Sequence, residues 1–144
     1  MDVDGVITNI EKEVITEPLI LDYIIQILER GEPVGLNTGR GIDWVRKTVL
    51  KPLKAKIANQ NILKNLFIVA ESGGITGAFD QSGSLKIVVD DSLKIPNDLD
   101  QQVRKLVTRK YSQSMCYEDK KTMSTTKIKE ETSLERFQKD QKEI

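Results

Sequence analysis

Between residues 16 and 70, helix-period segments alternate with short apolar runs, and this alternation is the feature that most limits the possible fold. Residues 19–28 carry apolar side chains at helical spacing, and Gly31 is expected to end that helix. The apolar runs 33–38 and 66–70 have the length and composition of buried strands. Strands joined through helices predict an α/β fold, with a parallel sheet and helices on its faces.

Helix boundaries in this first half depend on a few residues. Thr16 is expected to cap the first helix, with Pro18 tolerated in its first turn. The second helix is predicted over about residues 42–59. Pro52 is expected to kink that helix or split it in two, because proline has no N–H and its ring crowds the preceding turn. Residues 9–15 are predicted to be a polar connection or a short extended piece.

After Ala70 the pattern changes to short strands, turns and two more helices. The predicted elements are a hairpin, a helix, a second hairpin and a final helix, at residues 75–90, 97–111, 114–128 and 134 onwards. Thr132 or Ser133 is expected to cap the final helix. This pattern predicts an α+β unit. The chain is therefore divided into a partial Rossmann-like core at residues 1–76 and an incomplete α+β cap at residues 77–144.

Two aspartates near the start of the chain, in Asp2-Val3-Asp4-Gly5, are candidates for chemistry. In an extended segment, residues i and i+2 point the same way, so Asp2 and Asp4 are expected to project into one volume. Two carboxylates held close together require a proton or a cation, and Mg²⁺ suits such oxygen ligands. The simpler interpretation is a polar turn, because Asp-Gly is a common turn dipeptide.

Paired carboxylates of this kind can support phosphoryl transfer. One carboxylate attacks phosphorus and forms an aspartyl-phosphate, which water then hydrolyses. The other protonates the leaving oxygen and later activates the water. A divalent cation offsets the charge on the phosphoryl oxygens.

Composition argues against several other functions. Lys plus Arg and Asp plus Glu number 22 each, so no net field attracts nucleic acid or an anionic membrane surface. The chain has no histidine, which excludes catalysis by Ser-His-Asp or Cys-His groups. The single Cys116 excludes an internal disulfide. No apolar run approaches the roughly 20 residues of a membrane span, and no secretory signal is visible. A cytoplasmic protein is the expectation.

A second polar stretch, Thr38-Gly39-Arg40, follows the first predicted strand. A threonine hydroxyl together with backbone amides at the start of the next helix offers hydrogen-bond donors to a phosphate. Taken alone, the stretch is more simply an ordinary strand-to-helix turn with a capping threonine. Trp44, a few residues further on, could stack on a sugar or pack at the start of the helix.

Together these stretches resemble the haloacid dehalogenase (HAD) superfamily, in particular its capped sugar-phosphatase branch. The run 2–5 is similar to the first motif of the family, and Thr38-Gly39-Arg40 is similar to the second. Residues 69–74, Val-Ala-Glu-Ser-Gly-Gly, resemble the stretch that precedes the cap insertion in that branch. The likeness is strong up to residue 74 and looser after it.

The resemblance implies a role for each matching residue. Asp2 would be the nucleophile and a Mg²⁺ ligand, while Asp4 would be the general acid and base and would offer its backbone carbonyl to the metal. Thr38 would donate a hydrogen bond to the phosphoryl group, and Gly39 would add a backbone amide. Arg40 would be a structural or substrate-side residue and not a catalytic one. The implied activity is Mg²⁺-dependent hydrolysis of a small sugar phosphate or similar metabolite.

Two motifs of the family have no match in this sequence: a lysine after the cap, and an acidic Gly-Asp-x-x-x-Asp cluster that completes the metal site. The chain is therefore expected to correspond to a part of such a phosphatase, shortened at both ends. Three hypotheses stay open. The chain is a phosphatase, a non-catalytic remnant or regulatory module that binds phosphate or metal, or a polypeptide completed by a second chain or by self-association.

Overall fold

The computed structural model describes residues 1–9 and 12–144, so residues 10 and 11 of the predicted connection 9–15 lie outside the described residues. The chain divides into two compact units, Met1–Asp91 and Ser92–Ile144. The elements of the first unit are α1 (Leu19–Glu29), β1 (Val34–Asn37), α2 (Ile42–Val45), a π-helical turn (Arg46–Leu50), α3 (Lys51–Lys56), a 3-10 helix (Gln60–Asn65), β2 (Leu66–Ala70), a 3-10 turn (Glu71–Gly73), β3 (Ile75–Phe79) and β4 (Leu85–Val89). A 3-10 turn (Asp91–Leu93) precedes the elements of the second unit, which are α4 (Asn97–Lys110), β5 (Met115–Glu118), β6 (Thr125–Ile128) and α5 (Leu134–Gln141).

A four-stranded sheet with the order β1-β2-β3-β4 forms the centre of the first unit. β1 and β2 are parallel, with Val34 opposite Leu66, whereas β3 and β4 are antiparallel to their neighbours. The predicted α/β fold class is confirmed. The sheet is mixed because the hairpin of β3 and β4 extends it instead of joining the second unit. For the same reason the units separate after Asp91, whereas the boundary predicted from the sequence falls at residues 76–77.

The sheet has one buried face and one exposed face. Leu36 of β1, Ile68 of β2 and Ile75 of β3 are buried in a core that they share with α1, α2 and α3. Residues one position along each strand point the other way. On that opposite face Phe67 is 46% exposed and Val88 is 68% exposed. Helices of this unit therefore cover only one side of its sheet.

The two ends of α1 differ in how well the sequence predicts them. Gly31 ends the helix as predicted: its φ is +77°, and it donates a hydrogen bond to the Leu28 carbonyl at 3.0 Å. The predicted N-cap at Thr16 is wrong, because the helix begins at Leu19 with Pro18 at the cap position and no side-chain cap. Pro18 already has the φ of −61° that a helix requires, so the chain enters the helix there.

Pro52 divides the second helix, as predicted. It has no N–H to donate to the carbonyl of Thr48, and its ring crowds that carbonyl. A π-helical turn forms just before Pro52, and in it the Lys51 N–H donates a hydrogen bond to the Arg46 carbonyl, five residues back. α3 then carries Pro52 in its first turn and ends at Lys56, earlier than the sequence predicts.

The second unit consists of α4, the hairpin β5–β6 and α5. Val107, Tyr111 and Met115 form its small buried core, against which Phe137 of α5 packs. The predicted hairpin is present, and Ser133 caps α5 by accepting a hydrogen bond from the Arg136 N–H at 3.3 Å. Across residues 1–9 and 12–144, no helix is both long and apolar enough to cross a bilayer.

Asp80 organises the turn between β3 and β4. Its Oδ1 accepts hydrogen bonds from the Ser82 hydroxyl at 2.6 Å and from the Ser84 N–H at 2.9 Å. The hydroxyl of Ser82, followed by the amide of Ser84, lowers the pKa of Asp80 from 3.8 to about 2. These bonds favour the ionised carboxylate.

We expect this turn to add a pH-dependent contribution to stability. The folded-state pKa of Asp80 is depressed, so its contribution is present above pH 3.8 and is lost as the pH falls toward about 2. Between those values the melting temperature of the wild type should fall more steeply than that of Asp80→Asn. Ser82→Ala, which removes the strongest donor, should give an intermediate slope. Identical slopes for all three proteins in thermal melts would contradict this assignment.

Candidate functional site

The first three residues lie beside β1 as a short parallel extension of the sheet. The Asn37 N–H donates to the Met1 carbonyl at 2.8 Å, and the Val3 N–H donates to the Asn37 carbonyl at 3.2 Å. Asp2 thus pairs with Asn37, the last residue of β1. In α/β proteins, ligands bind beyond the carboxyl ends of the strands, and this pairing places Asp2 and Asp4 at that edge.

A tight turn follows the two aspartates. The Val3 carbonyl accepts hydrogen bonds from the Ile7 N–H at 2.9 Å and from the Thr8 N–H at 3.0 Å. Gly5 has a φ of +78°, a conformation that is costly for residues with a Cβ. Val3 and Ile7 are buried, so the turn is anchored in the core while Asp2 stays exposed. The predicted role of Gly5 in turning the chain away is confirmed.

Thr38 connects β1 to the acidic turn. Its hydroxyl is buried, donates to Asp4 Oδ2 at 3.0 Å and accepts from the Arg40 N–H at 3.0 Å. The backbone of Thr38 is fixed from the neighbouring strand, since its N–H donates to the Val69 carbonyl at 2.9 Å. No described residue accepts a hydrogen bond from the amide of Gly39, the exposed residue that follows Thr38.

Arg40 contributes a positive charge to the cluster of Asp4 and Thr38. Its Nε donates to Asp4 Oδ1 at 3.0 Å, and its Nη1 lies 3.2 Å from Glu13 Oε1. Burial acts to lower the pKa of Arg40, but the hydrogen bond and charge of Asp4, followed by those of Glu13, raise it above its usual value. The guanidinium carbon lies 5.0 Å from the centroid of the Trp44 ring, within reach of a cation–π interaction.

The turn after β2 closes over the same edge of the sheet. The Glu71 N–H donates to the Arg40 carbonyl at 3.0 Å, and the Ser72 N–H donates to the Thr38 carbonyl at 3.2 Å. Glu71 and Ser72 have φ values of +51° and +53°, which are uncommon for residues other than glycine. Such strain persists only where surrounding contacts impose it, and it concentrates at functional sites.

The structure therefore brings Asp4, Thr38 and Arg40 into direct contact and places Gly39 beside them. Asp2 lies at the same sheet edge, with its Oδ1 accepting a hydrogen bond from the Val3 N–H at 2.8 Å. Glu13 had no sequence signal, because it lies in an irregular polar segment and meets Arg40 only in the folded chain.

The sequence allows Trp44 to be either a stacking platform for a sugar or a packing residue at the start of the helix. It contacts Arg40 and packs, partly buried, on the core of the first unit. These contacts describe a packing role at the start of α2.

The residues present offer a partial set of ligands for Mg²⁺. Asp2 Oδ2 and the Asp4 backbone carbonyl are oxygens that accept no hydrogen bond from any described residue. Within residues 1–9 and 12–144, no group of three or more acidic or cysteine side chains is arranged to hold a metal ion. Mg²⁺ prefers six oxygen ligands and releases water reluctantly. A cation held by these two oxygens would therefore keep most of its water.

We expect the Thr38–Asp4 hydrogen bond to appear as an energetic coupling. A hydrogen bond to a charged group contributes about 1.5–3 kcal/mol. In a double-mutant cycle of Thr38→Val and Asp4→Asn, measured by chemical denaturation, the coupling should be about 1 kcal/mol or more. Thr38→Ser, which keeps the hydroxyl, is the control and should preserve the coupling to Asp4. Additive single-mutant effects would show that the bond contributes nothing.

Comparison with known proteins identifies structural neighbours but no sequence relative. No protein-family model and no curated protein matches the sequence. Among solved structures, the N-terminally truncated IMP-nucleotidase of Plasmodium falciparum matches with a TM-score of 0.59 and 14% identity, over 99% of this chain and 45% of that one. A mutant of the same enzyme in complex with IMP matches with a TM-score of 0.61 and 11% identity, over 96% and 42%.

At these identities the similarity concerns the fold. This chain spans less than half of the length of the nucleotidase chains that it matches. Its mixed sheet with flanking helices, followed by a smaller α+β unit, corresponds to part of that architecture. The chain therefore has the mixed α/β, HAD-like fold of these nucleotidases.

Proposed function

We propose that this chain carries the phosphoryl-transfer site of a HAD-type phosphomonoesterase. The observation that carries the proposal is the hydrogen bond from Thr38 to Asp4, which joins the two predicted motifs across 34 residues of sequence. Membership of the HAD superfamily is part of the proposal, and it is supported by the two motifs and by the shared fold.

The proposed reaction proceeds in two steps. A carboxylate oxygen of Asp2 attacks phosphorus, the bond from phosphorus to the ester oxygen breaks, and Asp4 gives its proton to that oxygen. In the second step Asp4 takes a proton from water, whose oxygen attacks the aspartyl-phosphate and releases phosphate and the free Asp2 carboxylate. The Gly39 amide donates a hydrogen bond to a phosphoryl oxygen, where negative charge increases in the transition state. The Thr38 hydroxyl does the same after it turns away from Asp4 Oδ2, because it has only one proton to donate.

In the proposed reaction, Arg40 would contact the substrate. Both oxygens of Asp4 accept hydrogen bonds, one from Thr38 and one from Arg40. Arg40 must leave Asp4 Oδ1 before that carboxyl group can pass a proton to an ester oxygen. A phosphate group is a suitable alternative partner, because a guanidinium binds phosphate and carboxylate through the same donors.

Mg²⁺ belongs to the proposal as the cofactor. The Asp2 carboxylate and the Asp4 backbone carbonyl would hold it, and when bound it would supply positive charge to the phosphoryl oxygens. With so few protein ligands the affinity should be low. Turnover by this chain alone should accordingly be far slower than that of an intact family member.

The proposed substrate is a small phosphorylated metabolite that carries its phosphate on a sugar. The sequence resemblance favours a sugar phosphate. The structural neighbours are IMP-nucleotidases, and a nucleoside monophosphate such as IMP is itself a phosphate ester of a sugar. Both therefore belong to the same substrate class.

A second candidate function is a non-catalytic module that binds phosphate or a metal. The ion pair between Arg40 and Asp4 favours it, because it occupies the proposed acid and base.

A further prediction concerns partners. A second chain or a second copy of this chain would complete the site and cover the sheet face that carries Phe67 and Val88. The non-catalytic function and the partner both stay predictions.

Hydrolysis of p-nitrophenyl phosphate with and without Mg²⁺ separates these functions. We expect slow, Mg²⁺-dependent turnover that falls at least about 100-fold in Asp2→Asn, because the nucleophile is lost. Asp4→Asn should reduce it by about 100-fold or more, since general acid–base catalysis contributes about 10²–10⁴-fold. Asp43→Asn, at an exposed acid outside the site, is the matched control and should keep wild-type turnover.

Two outcomes would count against the phosphatase proposal, and a third would contradict the low turnover expected of this chain. Turnover that survives in Asp2→Asn would exclude this residue as the nucleophile. Phosphate binding without any turnover would favour the non-catalytic module. A rate normal for an intact phosphatase would show that the ligands in this chain suffice.

A further inference from the structure

A second cleft in the first unit lies between the helical segment 46–54 and the β3–β4 hairpin. It has a volume of about 390 Å³ and is lined by two kinds of side chain, three cationic and three apolar: Arg46, Lys51, Lys54, Leu50, Phe79 and Leu85. None of these residues belongs to the site at the end of β1. Small-molecule sites commonly have volumes of about 300–1,000 Å³ and a mostly apolar lining with a few polar groups.

Pro52 explains why the cations gather at this cleft. In an α-helix, residues three and four apart share a face, and residues five apart do not. The π-helical turn imposed by Pro52 bonds the Lys51 N–H to the Arg46 carbonyl and widens the helix there. Arg46 and Lys51 come closer together around the helix axis as a result, and both reach the same cleft. Single π turns of this kind occur frequently at functional sites.

The apolar part of the lining is fixed by the core. Leu50 is 4% exposed and Phe79 is 7% exposed, so both are anchored in the hydrophobic interior. The Lys54 ammonium is fixed by a hydrogen bond to the Gly83 carbonyl at 2.9 Å and lies 5.7 Å from the centre of the Phe79 ring. This side chain is therefore held beside the apolar floor by contacts on two sides.

The charged side chains among the described residues that line the cleft are all cationic. Asp43 contacts Arg46 at 3.0 Å, but its side chain is 77% exposed, and such pairs are weak and easily exchanged. The cleft thus combines three cationic groups with an apolar floor.

We propose that this cleft binds a small organic anion whose charged group meets Arg46 and Lys51 and whose aromatic or alkyl body lies on Leu85 and the accessible edges of Leu50 and Phe79. A bare inorganic anion would leave the apolar floor without a partner. An uncharged arene would leave the cations without one. The proposal rests on these residues alone and is independent of the phosphatase assignment.

The fluorescent arylsulfonate 1-anilinonaphthalene-8-sulfonate is a suitable probe, because it combines an aromatic body with one negative charge. We expect saturable binding to the full chain, with amide chemical-shift changes in NMR spectra confined to residues 46–54 and 79–85. Arg46→Gln combined with Lys51→Glu should weaken binding at least about tenfold, through the loss of two cationic partners and the repulsion of the anion by the new carboxylate. Lys47→Gln removes a cation from the same turn outside the cleft and should leave binding unchanged.

Two further variants test whether the probe binds to another apolar surface of the first unit. Phe67→Ser and Val88→Ser alter the exposed sheet face and should leave affinity unchanged if the cleft is the site. Binding that persists in the Arg46→Gln, Lys51→Glu protein, or that is lost in the sheet-face variants, would overturn the proposal. Inorganic phosphate should produce no comparable shifts in residues 46–54, and equally tight phosphate binding there would refute the role given to the apolar floor.

Discussion

The backbone pairing between Asp2 and Asn37 is the constraint on which the candidate site depends. It places the first acidic residues of the chain at the carboxyl end of β1 without a full-length strand of their own. The turn at Gly5 then holds Asp4 against Thr38, and the hydroxyl of Thr38 bridges the carboxylate and the Arg40 amide. Local backbone geometry in two short segments is therefore sufficient to gather these groups.

The parallel pairing of β1 and β2 fixes the position of the loop that carries Thr38. The strand register leaves the Val69 carbonyl available to the Thr38 N–H, and the strained turn at Glu71 and Ser72 returns hydrogen bonds to the loop that carries Thr38. Arg40 adds a positive charge to this scaffold, because its guanidinium forms ion pairs with both Asp4 and Glu13. In our proposal, the release of Asp4 by Arg40 decides between phosphoryl transfer and phosphate binding without turnover.

Periodicity was sufficient to predict the α/β class, the positions of the first two strands and the helix end at Gly31, because each follows from local apolar spacing or backbone preference. It did not predict that one face of these strands is exposed. The start of α1 was not predictable from Thr16, since a capping threonine and a proline at the cap position compete within two residues. β3 joins the main sheet through a short antiparallel connection from β2 at residues 71–74, whereas the sequence pattern had paired β3 only with β4. The ion pair of Arg40 with Glu13 was likewise invisible, because only the folded chain brings residues 27 positions apart together.

The most direct measurement is an experimental structure of the chain with Mg²⁺ and beryllium fluoride, which mimics a phosphorylated aspartate. Our account predicts the beryllium fluoride on the Asp2 carboxylate, with the Thr38 hydroxyl and the Gly39 amide within hydrogen-bond distance of its fluorides and Arg40 displaced from Asp4. Beryllium fluoride bound to another residue, or an Asp2 carboxylate directed away from the Thr38 hydroxyl, would contradict it.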